Sequence, residues 1–276
     1  MRKASPDGLP INQKTPGDDQ TMRYREFGKE KTETILLLHG GGLGWWNYRD
    51  EAELLQSAYH VILPTLDGHA ESDRPFSTIE DNASEIISFI DEQLGGSVLL
   101  IGGLSLGAQI LLEMMSQRAD ICRYALVESA AVHPSGIAHA LIRPALESSY
   151  GLIQSRSFAK IQFSSLHIRK ELFEEYYRDT GKIRKEDMIA FLKANTAYSL
   201  KGSVSGTSAK TLIIVGDREN REIQQSAKTI SKAIRDSRIM VMPGLYHGEF
   251  SINQPERYVQ TVLGILQFNK LYGRTV

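Results

Sequence analysis

The chain of 276 residues sets 32 lysines and arginines against 33 aspartates and glutamates, a formal net charge of −1. That balance leaves no overall basic field to draw in nucleic acid or an anionic membrane, and 41% hydrophobic with 24% charged residues is a globular composition, not that of a disordered chain. One cysteine, Cys122, rules out an intrachain disulfide, no Cys/His set has zinc spacing, and no apolar run approaches the roughly 18 residues of a membrane span.

Residues 1–19, with their prolines and glycines, read as a loose N-terminal segment, and their polar character predicts no signal peptide. The expectation is therefore a cytoplasmic protein. From there, short apolar runs alternate with helical patterns. Thr34–Leu38, His60–Leu63, Ser97–Ile101, Tyr124–Val127, Thr211–Val215 and Arg238–Met242 are continuously apolar enough for parallel strands covered on both faces. After Ser77, the residues Ile79, Ala83, Ile86, Ile87, Ile90 and Leu94 fall on one helical face, and Ser77 with Glu80 suggests a capping box. Pro255 suits the first turn of a last helix. This alternation predicts a doubly wound α/β sheet. Only 133–205 breaks the rhythm: helix-like pieces at Ile137–Leu146, Glu171–Tyr177 and Lys185–Ala194 without a buried strand predict a helical insertion.

The sharpest chemical signal is Gly103-Leu104-Ser105-Leu106-Gly107, which follows an apolar strand and opens into the helix pattern Ala108–Met115. A G-x-S-x-G turn in that context exposes a strained serine at a helix N-terminus, the arrangement of a nucleophile elbow. A serine hydroxyl needs a base and an orienting acid. Among seven histidines, His247 in Pro243–Gly248 lies between the last strand and the last helix, where an imidazole can reach the serine. His39 reads as a loop-holding residue, and His60, His69, His133, His139 and His167 carry no motif. The turn after Val215 offers two acids, Asp217 and Glu219, in the order serine, acid, histidine. For the oxyanion, Leu106 supplies one backbone N–H and the loop His39–Gly44 the other. That loop is no dinucleotide fingerprint, because Trp45 stands where the last glycine belongs, and it lacks a P-loop lysine.

Together these segments resemble the α/β-hydrolase superfamily, in its small, lid-bearing type, from about Arg23 to Gly264. The resemblance implies the α/β-hydrolase fold: a mostly parallel central sheet with helices on both faces and a helical lid. The core would be residues 20–132 and 206–276, and 133–205 the cap. It implies Glu219 as the acid, three residues after the glycine of its turn, with Asp217 and Glu128 as competitors; Glu128 ends the strand Tyr124–Val127. It implies Gly41 as the second oxyanion donor, with Gly42 in reserve. The segment Pro64–Asp73 departs from the family loop at Thr65 and Ala70. The function expected is a serine hydrolase cleaving an ester-type bond of a small molecule, without metal or cofactor. Trp45 and Trp46, just after the oxyanion loop, are offered as acyl-pocket residues, with packing under the lid or in the core as the equal alternative. Carbon–carbon bond hydrolysis and acyl transfer would use the same residues, and a slow-turnover binding or signalling protein on the same scaffold is the reading from another class.

Overall fold

The computed structural model describes residues 22–272, with side chains through residue 266; the N-terminal segment 1–19 lies outside the described residues. In chain order the elements are β1 (Tyr24–Phe27), β2 (Thr34–Leu38), α1 (Arg49–Leu55), β3 (His60–Pro64), α2 (Ile79–Gln93), β4 (Val98–Leu104), α3 (Leu106–Gln117), β5 (Cys122–Glu128), α4 (Gly136–Ile153), α5 (Arg156–Ser165), α6 (Phe173–Thr180), α7 (Lys185–Ala197), β6 (Lys210–Gly216), α8 (Arg221–Ala233), β7 (Ser237–Met242), α9 (Glu249–Asn253) and α10 (Pro255–Tyr272). Seven strands form one sheet in the order β1-β3-β2-β4-β5-β6-β7. All neighbours are parallel except β1, which runs antiparallel to β3 with Tyr24 opposite Pro64.

Strand alternation divides the core in two. Ile35 and Leu37 join Leu100, Leu126 and Ile214 in one cluster, under α1 and α10. Leu36 and Leu38 point the other way, with Ile101, Val127 and Ile213, under α2, α3 and α8. A strand buried on both faces has no place for a polar side chain, which is why β2 reads as five consecutive apolar or β-branched residues. At about 1.5–3 kcal/mol per fully buried aliphatic side chain, these runs dominate the stabilisation of the sheet.

Two local expectations change. The capping residue of α2 is Thr78, whose hydroxyl accepts the Asp81 N–H at 2.9 Å. Ser77 stands one residue too early to reach that amide. β1 escapes the apolar-run criterion because Arg25 and Glu26 lie within it. Between β5 and β6 the chain is helical, α4 to α7, with no strand. The chain winds from β2 to β3 on one side and through β4 to β7 on the other, so the order reverses between β2 and β4. The crevice beyond the carboxyl ends of those two adjacent strands is where an open α/β sheet takes its ligand, and both the glycine loop and Ser105 leave from there.

Candidate active site

Ser105 joins β4 to α3 with φ 52° and ψ −109°, a backbone conformation that costs an L-residue energy and persists only where neighbours impose it. The neighbours are visible. A Cβ on Gly103 would lie 2.5 Å from the Gly107 carbonyl, and one on Gly107 would lie 2.2 Å from the Leu38 oxygen. Both glycines are therefore required for the helix to start so close to β4 and β2. The Ser105 N–H donates to the Glu128 oxygen at 2.9 Å, tying the turn to β5.

His247 sits in the loop between β7 and α9, and its Nδ1 lies 2.8 Å from Glu219 Oε2. The carboxylate is 1% exposed and the imidazole 48%, so a fixed anion stands behind a ring that reaches the surface. Glu219 is itself immobilised: Oε1 accepts from Ser129 Oγ and from the Gly216 N–H, each at 2.8 Å. The base loop is held as firmly. Asp217 Oδ1 accepts the Gly244 N–H at 2.7 Å, the Asp217 N–H donates to Met242 and the Arg218 N–H to Leu245. Gly216 lets the two loops meet, since a Cβ there would lie 2.1 Å from the Leu245 oxygen.

Of the three candidate acids, the structure brings Glu219 to His247. Asp217 is occupied by the backbone of the base loop. Glu128 is fully buried, accepts the Ser251 N–H at 3.2 Å, and is pushed up to about 7 by burial. With a proton on Nδ1 facing Glu219, Nε2 of His247 is the remaining acceptor. Ser105 and His247 line the same cavity of about 240 Å³.

Four backbone N–H groups, those of Gly40 to Leu43, belong to the glycine loop after β2. Three have partners: Gly40 donates to Asn47 Oδ1 at 3.2 Å, Gly42 to His69 Nε2 at 3.0 Å, and Leu43 to the Gly40 oxygen at 3.1 Å. Gly41 has none among the described residues, and it lines the cavity. Leu106, first residue of α3, has an N–H with no intrahelical acceptor. Two unsatisfied donors thus flank the serine, while Gly42 is already engaged.

Apart from Gln162, Thr180 and the Tyr176 hydroxyl, the rest of the cavity is lined by apolar side chains and glycine backbone. Leu43, Leu104 and Ile252 come from the sheet side, and Ile168, Tyr176, Met188, Phe191 and Leu192 from the helical insertion. No lysine, arginine, aspartate or glutamate lines it among the described residues. Trp45 and Trp46 are not there. They are 2% and 1% exposed, packed into the core cluster beneath α1 and α10. The 3-10 turn Trp45–Tyr48 rotates both rings inward; Trp46 Nε1 donates to Asp179 Oδ2 at 3.0 Å, and the Arg25 guanidinium covers Trp45 at 4.8 Å. Neighbourhood in sequence to the glycine loop did not carry into space. Conversely, Ser129, Thr180, Met188 and Phe191 touch the site without any sequence motif to announce them. A larger depression of about 390 Å³ lies at the other end of β6 and β7, lined by Lys210, Asp236 and Arg238, and holds no nucleophile–base pair.

Residues 35–261 match the model of a family described as the alpha/beta hydrolase family. Lipase 1 of Psychrobacter immobilis is 23% identical over 250 residues, which is 87% of this chain and 78% of that one. A thermophilic esterase from Thermogutta terrifontis superposes with a TM-score of 0.73 at 20% identity, over 94% of this chain and 97% of that chain. An esterase from Exiguobacterium antarcticum gives a TM-score of 0.75 at 18% identity, over 89% and 96%. At these identities the two structures speak for the fold alone.

Proposed function

The chain belongs to the alpha/beta hydrolase family, and from that premise we propose that it is a serine hydrolase cleaving uncharged, largely apolar esters through an acyl-enzyme on the triad Ser105, His247 and Glu219. The observation that carries the proposal is the 2.8 Å contact between His247 Nδ1 and the buried Glu219, with the imidazole and Ser105 on one cavity. Fixing the Nδ1–H tautomer leaves Nε2 to act as general base.

In the first half-reaction Ser105 Oγ attacks the ester carbonyl while His247 Nε2 takes its proton. Negative charge moves to the carbonyl oxygen, where the N–H groups of Gly41 and Leu106 receive it. The imidazolium, held against Glu219, returns the proton to the departing alkoxide. Water then repeats the sequence on the acyl-enzyme, giving its proton to His247 and releasing the acid and Ser105. The helical insertion serves as the cap that walls the acyl group. Its contribution of Tyr176, Met188, Phe191 and Leu192 favours an apolar acyl chain, and the absence of a cation from the lining disfavours substrates anchored by a carboxylate.

The test is covalent labelling with a fluorophosphonate alongside turnover of p-nitrophenyl esters of two to eight carbons. Expected are labelling at Ser105, lost in Ser105→Ala, and turnover of the short and medium esters. A wild-type protein that is neither labelled nor active overturns the reading in favour of a binding protein on this scaffold. No described helix is long and apolar enough to cross a membrane.

A further inference from the structure

The glycine loop after β2 is a weak scaffold for a catalytic donor, because successive glycines lose the most conformational freedom on ordering. Something outside the loop must therefore set its peptide planes. A trans peptide points its C=O and the following N–H in opposite directions. In the Gly40–Gly41 peptide, the Gly40 oxygen accepts from His39 Nδ1 at 2.9 Å and from the Leu43 N–H at 3.1 Å. The Gly41 N–H consequently faces the other way, on the cavity side. The next peptide, Gly41–Gly42, is gripped by a residue 27 positions further on: the Gly42 N–H donates to His69 Nε2 at 3.0 Å.

We propose that His69 is a positioning residue of the oxyanion hole, locking the peptide plane after Gly41 so that the Gly41 N–H stays aimed at the reacting carbonyl. The inference rests on the serine hydrolase reading above. Its support is a reciprocal bond pattern. His69 Nδ1 donates to the Asp67 oxygen at 3.0 Å and Nε2 accepts from Gly42, while His39 Nδ1 donates to Gly40 and its Nε2 accepts the Leu66 N–H at 3.1 Å. Each loop thus lends a ring to the other, both in the tautomer with the proton on Nδ1. The rings meet edge to face at 4.9 Å.

Both imidazoles must be neutral for Nε2 to accept. Burial holds them so, lowering His69 to about 4 and His39 to about 3. The plane of His69 is in turn fixed by stacking on Phe191 at 4.7 Å, and the Gly42 oxygen accepts from Thr180 Oγ1 at 3.3 Å. Nothing about His69 suggests a bond to substrate; it acts through Gly42.

The experiment compares three variants in the full chain. His69→Phe keeps a ring on Phe191 and removes the acceptor. His69→Asn can still donate to Asp67 but falls short of Gly42. His69→Gln returns an acceptor oxygen near the Nε2 position. Each is assayed for kcat and KM on p-nitrophenyl butyrate, and for inhibition by a trifluoromethyl ketone, which forms a charged tetrahedral adduct, against the unfluorinated ketone of the same chain length. Misaiming one donor predicts a kcat loss of about 10- to 100-fold in the Phe and Asn variants, smaller than outright removal. KM should stay within about two-fold, the trifluoromethyl ketone should weaken by the same factor as kcat, and the plain ketone should be unaffected. His69→Gln should recover most of both losses. If the Phe variant does not fold, the Asn variant decides alone. Active, labelled wild type with an unimpaired acceptor-less variant, or equal weakening of both ketones, overturns the positioning role. Wild type without turnover or labelling overturns the hydrolase reading beneath it.

Discussion

Replacing Glu219 by glutamine removes a charge while keeping shape, and the surrounding bonds decide how the imidazole responds. One carboxylate oxygen accepts from two donors, Ser129 Oγ and the Gly216 N–H, and the other faces His247 Nδ1. A glutamine therefore places its oxygen toward the pair and its NH2 toward the imidazole. That amide group demands a lone pair on Nδ1, which moves the ring proton to Nε2, the atom that must accept from Ser105. The flipped amide restores the right tautomer but sets two N–H donors against each other at Gly216, at a cost of about 1–3 kcal/mol for a buried unpaired group. Every 1.4 kcal/mol is a factor of ten, so this alone leaves between about a fifth and roughly one in 140 of the molecules competent. The imidazolium also loses its counter-charge, and in triads of this type neutralising the acid costs about 10⁴ in kcat. Glu219→Gln is expected to lower kcat by roughly 10³- to 10⁴-fold with KM little changed, while Asp217→Asn, which keeps an oxygen for the Gly244 N–H, stays within a few-fold of wild type. The assay is steady-state hydrolysis of p-nitrophenyl butyrate at pH 8, with melting curves to show that both variants are folded. A folded Glu219→Gln variant retaining more than a tenth of kcat would refute the reasoning.

Ser105→Ala should lose at least about 10⁴-fold in kcat at an unchanged melting temperature, because alanine keeps the strained φ of 52°; Ser105→Gly, which relieves it, should gain about 1 kcal/mol in denaturant titrations. Gly216→Ala sets a methyl group 2.1 Å from the Leu245 oxygen, so the base loop must move; a loss of about 1–3 kcal/mol and a fall in kcat/KM together are expected, and a neutral substitution would contradict the packing. Burial raises Glu128 from 4.5 to about 7, so the folded state holds that proton more tightly than the unfolded chain, and stability falls as pH rises from about 4.5 to 7. Glu128→Gln should therefore raise the melting temperature relative to wild type at pH 8 but not near pH 4.5; an equal difference at both would exclude this origin. His39 and His69, with lowered pKa values, act in the opposite sense below about 6.5 in both proteins and cancel from the comparison.

What was legible in the sequence was whatever chemistry writes locally. β2, β4 and β6 appear as unbroken apolar runs because both faces of each are covered, and the Ser105 turn appears because two glycines four residues apart have no room for a side chain. The turns after β6 and β7 could be read as carrying an acid and His247, but the residues alone left Asp217 beside Glu219, and only the family resemblance favoured Glu219. What stayed hidden depends on partners far along the chain. β1 is stabilised by Arg25 reaching Glu71 and by Glu26 reaching His60, separations of 46 and 34 residues, so its charged residues mask it as a strand. His69 carries no signal because its partner is a backbone amide 27 residues away. Trp45 and Trp46 failed as pocket residues for the complementary reason: their chain position was right, and a single 3-10 turn reversed which way they face.

The helical insertion touches the sheet domain at more than the cavity wall. Asp179 holds Trp46, Thr180 holds the Gly42 carbonyl, and Asp187 accepts the Phe76 N–H at 2.9 Å. A chimera carrying a foreign insertion between β5 and β6 would inherit a new cavity wall but arrive without these three fastenings. Its glycine loop would then be slack even with Ser105, Glu219 and His247 intact. Transplanting selectivity into this protein accordingly requires grafting the residues at the cavity wall while leaving Asp179, Thr180 and Asp187 in place, so the portable unit is smaller than the insertion itself.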